Sequence, residues 1–446
     1  MGRPLSKAKP MHPEAARPTT FSASGPLRGE ARLPGDKSIS HRALMLGAAA
    51  RGVTRIEGLS QGGDVRSTAA ALSGMGVRVA GEGNAWEVHG LGTGGLLQPG
   101  CALDMGNSGT STRLLMGLVA SQPITAIFTG DASLSARPMG RVIGPLSRLG
   151  AQIEASPVGR LPLLVRGARP AVPLEHRMEV ASAQVKSAIL LAALNTPGVT
   201  RVIEPIATRD HSERMLKAFG AQIEVEGETI SLRGAVELQA QRVRVPADPS
   251  AAAFPLVAAL LVPGSELRLP GVGTNPGRAG LFHVLAEMGA DVRLENPRET
   301  GGEPVADILV RASALRGVDV PPELAPSMID EFPILFVAAA LAQGTTRTTG
   351  LGELRVKESD RLAAMAAGLR AIGARVEETE DGLTVHGSGG EPLAGGATID
   401  PRLDHRIAMA FAVAGLACRA PVTVADMSAA DTSFPGFSAL LGELAR

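Results

Sequence analysis

Apolar residues recur along this chain in two alternating rhythms. Stretches such as DVRSTAAALSG and SDRLAAMAAGLRAIG carry them at helical spacing, and each is followed by a glycine and a run that alternates apolar and polar side chains like a half-buried strand. Five such segments are plain: MGVRVA from Met75, LGAQIEA from Leu149, FGAQIEV from Phe219, MGADVRL from Met288 and IGARVEE from Ile372. Each predicts helix, glycine turn, strand. A second recurring piece lies upstream: a polar cluster, an Ala/Leu-rich helix, a glycine and a short β-rich run. Its copies are SISHRALMLGAAARGVTRIEG, GTSTRLLMGLVASQPITAIFTG, SAQVKSAILLAALNTPGVTRVIE, DPSAAAFPLVAALLVPGSELRLPG, IDEFPILFVAAALAQGTTRTTG and DHRIAMAFAVAGLACRAPVTVAD. Their starts, near Ser38, Gly109, Ser182, Asp248, Ile329 and Asp404, are roughly 65 to 80 residues apart, enough for one small packed unit each.

The pattern therefore predicts an α/β chain of six βαβαβ-type units. Helices this apolar need burial on nearly all sides, so three units packed around each of two helical cores are expected, giving two lobes. The Pro-rich stretch LQAQRVRVPADPS marks one crossover near Pro246, and GPLRGEARLPGD marks the other near Pro34. Two consecutive doubly wound domains would fit less well, because the repeat lacks alternating long parallel strands.

Composition narrows the function. The 446 residues carry 44 basic and 44 acidic side chains, so no global electrostatic partner is implied. Aromatics are 2%, with one Trp (Trp86) and no Tyr, which excludes the basic, base-stacking surface of a nucleic-acid binder. Cys101 and Cys418 make neither a disulfide framework nor a closed zinc site, and point to a reducing, cytoplasmic setting. The longest apolar runs, Phe332 to Ala342 and Ala251 to Val262, fall short of the roughly 20 residues that span a bilayer and read as core helices. The first residues, MGRPLSKAKPMHPEAARPTTF, have Pro and charge where a secretory signal is apolar, so residues 1–20 are expected to form a flexible extension.

Positive charge sits where helices begin. In GDKSISHRALM, Lys37 and Arg42 stand at the start of an apolar helix whose dipole already presents partial positive charge, and with Ser38 and Ser40 they would cradle a phosphate or carboxylate. A solvated cap is the plainer alternative for any one such motif, and the spacing is not that of a Walker loop. The arrangement recurs: Asn107 to Thr110 with Arg113 in NSGTSTR, Arg137 in SARPMGR, Arg406 in DHRIAM, and Lys357 with Arg361 in RVKESDRLAAM, where i,i+4 spacing predicts a shared helix face. Of only six lysines, two are Lys37 and Lys357. A cleft between lobes that binds a substrate with more than one anionic group is the expectation. Asp330 and Glu358 stand beside these cations. Asp330 reads equally as a helix cap or as a catalytic group; two carboxylates in a cationic cleft are what paired proton donation and abstraction require. GxSxG, HExxH and a correctly spaced GxGxxG are absent, and the histidines show no metal-ligand pairing; His41, His211 and His405 are taken first as orienting groups.

At GDKSISHRA, GNSGTSTR, ARPMGR, SAQVKSA, RVKESDRL and DHRIAMA together, from about Pro26 to the C-terminus, the chain resembles the 5-enolpyruvylshikimate-3-phosphate synthase family, in wording closer to its second bacterial class. The resemblance implies the two-lobed enolpyruvyl transferase fold with three βαβαββ units per lobe. It implies transfer of the enolpyruvyl group of phosphoenolpyruvate to the 5-hydroxyl of shikimate 3-phosphate through a tetrahedral ketal, without metal or organic cofactor. It also implies a discontinuous first lobe, residues 21–33 with 248–446, and a second lobe of residues 34–247, closing on the substrates. Carried over by motif, Lys37, Ser38, Arg42, Ser182, Ala183, Gln184, Arg209, Asp330 and Lys357 would contact shikimate 3-phosphate. Lys37, Asn107, Gly109, Arg137, Gln184, Arg361 and Arg406 would contact phosphoenolpyruvate. Asp330 would take the hydroxyl proton and Glu358 would protonate the methylene carbon, with Lys37 catalytic beside them. A monomer is expected.

Two positions depart from the family's commoner wording: Asp36 stands where many members carry Ser, and Thr432 where the enterobacterial class has Lys. Gly109 is the small residue of members whose phosphoenolpyruvate pocket also admits the inhibitor glyphosate. The competing enzyme is UDP-N-acetylglucosamine enolpyruvyl transferase, whose active-site loop usually carries a Cys that GDASLSARP lacks. A non-catalytic anion-binding relative would not need both Asp330 and Glu358.

Overall fold

The computed structural model describes residues 16–446. Residues 1–15 of the expected extension lie outside the described residues, and residues 16–20 correct the expectation. The Arg17 backbone N–H donates to Asp426, and Thr19–Phe21 is a strand antiparallel to Val422–Val424. Phe21 is the cause: it is 8% exposed and packs on Gly415, where any side chain would collide with it.

Strand order repeats from unit to unit. A short entering strand runs parallel to the strand that follows the first helix, and a hairpin lies on that strand's other side. Glu175–Arg177, Val199–Ile203, Thr229–Arg233 and Gln222–Glu226 pair in that order, with Val202 opposite Ile230 and Ile230 opposite Val225. The sheets around Thr125–Thr129, Glu266–Gly273 and Thr345–Thr348 have the same arrangement. Three units borrow strands, and the one around Glu266–Gly273 takes Arg28–Glu30 as its parallel entering strand. Leu238–Gln239 and Arg242–Arg244 enter beside Ala50–Glu57, and Thr19–Phe21 supplies the hairpin position beside Val422–Val424. The unit without a glycine-turn strand in the sequence is thus completed by the N-terminus.

Two hydrophobic cores result. One is built from residues between Ile39 and Val245, the other from Phe21, Leu27 and Ala31 together with residues from Ala251 to Leu444. Each centres on three helices: Lys37–Ala49, Gly109–Ala120 and Ala183–Ala193 in the first, Pro249–Leu261, Phe332–Leu341 and His405–Gly415 in the second. Every residue of Phe332–Leu341 is buried, which explains the absence of a polar face in its sequence. Side chains of Asp36, Ser108, Ser182, Asp248 and Asp404 cap five of the six, each capping bond contributing about 1 kcal/mol. Among the described residues no single helix is long and apolar enough to cross a membrane.

The helices Gly109–Ala120 and Ala183–Ala193 touch backbone to backbone at Gly117, where a Cβ would lie 2.2 Å from the Ala188 carbonyl oxygen. Gly117→Ala is expected to force them apart and lower stability by roughly 1–3 kcal/mol, read as a reduced denaturation midpoint at unchanged m-value. An unchanged midpoint would show that the contact is not limiting.

Candidate active site

All six central helices begin at one cleft. Its walls include Lys37 and Ser38 of the first, Gly109 and Thr110 of the second, Ser182, Ala183 and Gln184 at the third, Asp248 and Ser250 at the fourth, Asp330 before the fifth, and His405 and Arg406 of the sixth. The cleft holds about 700 Å³, a size suited to small metabolites. Six converging N-termini present unpaired N–H groups and partial positive charge to whatever sits there. Arg42, Arg113, Arg137, Arg209 and Lys357 add full charges to the same walls.

Two carboxylates stand where these charges meet. Asp330 lies 2.6 Å from Arg209, 3.2 Å from Arg361, and 3.7 Å from both Lys357 and Arg406. Glu358 lies 2.6 Å from Arg361 and 3.5 Å from Arg137. Burial alone would raise the Asp330 carboxyl, but Arg406, Lys357, Arg209 and Arg361 hold it well below the usual carboxylate range. Burial works the same way on Glu358 and is likewise outweighed, by Arg361, Arg137, His405 and Lys37. Both are therefore anions at neutral pH. The Lys357 ammonium is lowered by burial and by Arg361, against the pull of Asp330. His405 is pushed well below its ordinary value by burial, Lys37 and Arg406, so it is neutral at pH 7.

The lobes already touch across the cleft. The Ser133 hydroxyl donates to the Glu358 carbonyl at 2.8 Å, and Arg141 pairs with Glu353 at 2.8 Å on the rim. Arg137 and Arg209 make their bonds to Glu358 and Asp330 across the same divide.

Most sequence-predicted residues line this cleft: Lys37, Ser38, Arg42, Gly109, Arg137, Ser182, Ala183, Gln184, Arg209, Asp330, Lys357, Glu358 and Arg406. Asn107 and Arg361 stand one layer behind. Asn107 accepts from Arg137 and donates to Asp131 at 2.7 Å, while the Arg361 guanidinium, 1% exposed, is shared among Glu358, Asp330 and Asp404. Lys357 and Arg361 do not share a helix face. Asp360 accepts from the Ala363 N–H and starts the helix at Arg361, leaving Lys357 in the preceding turn; the two cations meet on Asp330 instead. Asp330 is not a cap either, since its carboxylate oxygens turn to arginines.

Other residues gain a role only in the folded chain. Arg113 was visible as a cation beside a small-residue turn, but only the fold shows its purpose: it donates to Gln184 at 2.8 Å, and Gln184 donates to Thr110 at 2.9 Å. Burial, and secondarily Arg137, lowers its guanidinium to about 10. Arg278 gave no local signal. Asp210, His211 and Glu303 cluster closely enough to suggest a metal. The Asn275 amide, however, donates to Asp210 at 2.7 Å and to Glu303 at 2.8 Å, so N–H donors stand where a cation would have to be.

The EPSP synthase (3-phosphoshikimate 1-carboxyvinyltransferase) family model matches residues 21–441. The chain is 63% identical to a 3-phosphoshikimate 1-carboxyvinyltransferase of Sphingopyxis alaskensis over 97% of its own length and 100% of that protein. It is 62% identical to the one of Novosphingobium aromaticivorans over 96% and 100%. In structure it is similar to EPSP synthase from Acinetobacter baumannii, with TM-score 0.84 and 44% identity over 96% of this chain and 98% of that one. An enolpyruvyl transferase of Streptomyces tendae, 19% identical with TM-score 0.78 over 96% and 98%, shares the fold. Cleft, motifs and relatives agree, and the chain belongs to the EPSP synthase family.

Proposed function

We propose that shikimate 3-phosphate and phosphoenolpyruvate meet in this cleft, and that Asp330 and Glu358 carry the two proton transfers of enolpyruvyl exchange. The observation that carries the proposal is the pair of carboxylates held as anions among arginines at six convergent helix starts. Shikimate 3-phosphate would lie on Lys37, Ser38, Arg42, Ser182, Ala183, Gln184, Arg209 and Lys357. Serines hold Arg42 for this, through its bonds to Ser212 at 2.7 Å and Ser187 at 2.6 Å. Phosphoenolpyruvate would lie against Lys37, Gly109, Arg137, Gln184 and Arg406, with Asn107 and Arg361 supporting from behind.

The sequence of events follows from charge. Asp330, already a carboxylate, takes the proton of the 5-hydroxyl as that oxygen bonds to the enol carbon, while Glu358 gives a proton to the methylene carbon. The ketal then loses phosphate, which leaves with the proton held on Asp330, while Glu358 takes back one methyl proton as the double bond re-forms, and the surrounding cations take up the charge of the leaving group. Glu358 must first acquire its proton. The substrate's carboxylate and phosphate supply the cause: bound beside Arg137, their negative charge opposes the restraint that Arg137 and Arg361 place on Glu358.

The wider expectations go with this reading. Separate cores support lobes of residues 21–33 with 248–446 and of 34–247. Exposed large apolar side chains such as Val53, Ile127, Val225 and Leu294 come from separate sheets, which supports a monomer. Two phosphorylated small-molecule substrates suit a cytoplasmic enzyme. Glyphosate would occupy the phosphoenolpyruvate position beside Gly109.

Phosphate release from phosphoenolpyruvate tests the assignment, with shikimate 3-phosphate and UDP-N-acetylglucosamine offered as separate acceptors. Turnover is expected with the first alone, and turnover with the nucleotide sugar alone would overturn it. Anion binding should also draw a fraction of a proton from solvent at pH 7. Calorimetric titration of glyphosate into the complex with shikimate 3-phosphate, in buffers of different ionisation enthalpy, should show uptake that Glu358→Gln diminishes; equal uptake by both proteins would contradict the charge argument. At Gly109 a Cβ would lie 2.8 Å from Arg113 Nη1 and 3.2 Å from Arg137 Nη1. Gly109→Ala should raise KM for phosphoenolpyruvate and raise the glyphosate inhibition constant more, by about ten-fold or above, in initial-rate assays. Unchanged inhibition would remove glyphosate from this position.

A further inference from the structure

The two crossovers carry one short pattern, Pro34-Gly35-Asp36 and Pro246-Ala247-Asp248. They run antiparallel. The Asp36 N–H donates to the Pro246 carbonyl at 2.8 Å and the Asp248 N–H to the Pro34 carbonyl at 3.0 Å, with Gly35 bridged to Ala247. Each aspartate then caps a central helix, Asp36 accepting from Ile39 N–H at 2.9 Å and Asp248 from Ser250 N–H at 2.8 Å. Asp248 does one thing more: its second oxygen accepts from the backbone N–H of Lys37 at 3.1 Å. The aspartate of one crossover thus holds the residue that follows the other.

Both aspartates share a counter-ion. Arg278 ends the 3-10 turn Pro276–Arg278, with a side chain 2% exposed, and its guanidinium lies 3.4 Å from Asp36 and 3.2 Å from Asp248. It also donates to the Ser250 hydroxyl, which bonds Glu331 in turn; Glu331 is 3.9 Å from Arg278 and 3.7 Å from Arg406. Buried charge is therefore continuous from Arg406 through Glu331, Arg278 and Asp248 to the Lys37 backbone. Its ends are cations placed on different lobes. A planar fork suits this junction, because two crossovers must be held at once and an ammonium is a single point charge.

We propose that Arg278 is a positioning residue for the reaction: by pinning both crossovers to the core of one lobe it sets Lys37, on the other, in register with Arg406. The inference rests on the function proposed above and extends it to a residue that no motif marks. Its effect should appear in the chemical step, since Arg278 holds groups that act on the substrates and leaves the binding surfaces of Arg42, Ser182 and Arg209 in place.

Steady-state kinetics of Arg278→Gln and Arg278→Lys, beside the unaltered protein, test it. Arg278→Gln is expected to lower kcat by about 10- to 100-fold with both KM values within about three-fold, and Arg278→Lys to recover part of that loss. A rise confined to KM would make Arg278 a substrate contact and overturn the proposal, as would unchanged kcat in the glutamine variant. Should Arg278→Gln fail to fold, Arg278→Lys decides alone: reduced kcat at near-normal KM supports the proposal, and unaltered kcat overturns it. Failure of the unaltered protein to release phosphate with shikimate 3-phosphate would count against the proposed function itself, which separates the two.

Discussion

Positive charge fixed at the starts of six buried helices is the constraint on which the rest of this structure depends. Helices as apolar as Phe332–Leu341 and Pro249–Leu261 must be enclosed by their own lobes, so only their ends reach solvent. The ends that reach the cleft are the N-termini, and the cations around them compound the dipoles. Such a concentration of charge is tolerable only when anions meet it. Asp330 and Glu358 are anions of the chain itself that meet it, and the cations hold both as carboxylates despite burial. On the function proposed above, substrate anions take over that role and free the same two groups for proton transfer, which would couple binding and catalysis through one electrostatic balance.

The crossover region completes this picture from below. Two chain passages, paired antiparallel through Gly35 and Ala247, are the covalent link between lobes. Gly35 admits no side chain, since a Cβ there would lie 1.8 Å from the Gly58 carbonyl oxygen. A link this tight constrains where one lobe stands relative to the other, and the rim contacts of Arg141 with Glu353 and Ser133 with Glu358 are made within that limit. Asp36 belongs to this region: it caps a helix, and in addition it gives Arg278 a charge to hold.

Much of this was legible in the sequence because the fold is repetitive. Helical and alternating apolar patterns recur, and errors in one copy are corrected by the others. Cations at helix starts stood out for the same reason. What was not legible depends on distant segments. The strand Thr19–Phe21 is too short to announce itself and forms because Val422–Val424 awaits it. Asp360 ends the apparent helical run through Lys357 and Arg361, a capping event that a periodicity argument overlooks. Arg278 sits in an ordinary proline-glycine turn, and its partners lie 242 and 30 residues away. The repeated Pro-x-Asp at the crossovers was the available signal, and it names the aspartates but not their counter-ion.

The central claim is that Glu358 gives a solvent-exchangeable proton to the methylene carbon of phosphoenolpyruvate while Asp330 receives one from the acceptor hydroxyl. Running the reaction in deuterium oxide and examining the vinyl protons of the product by NMR tests it most directly. The account predicts deuterium at that carbon, because the transient methyl group gains a deuteron and then loses any one of its three hydrogens, and it predicts that Glu358→Gln slows product formation and deuterium entry together. Product formed at full rate with no deuterium at the vinyl carbon would contradict it.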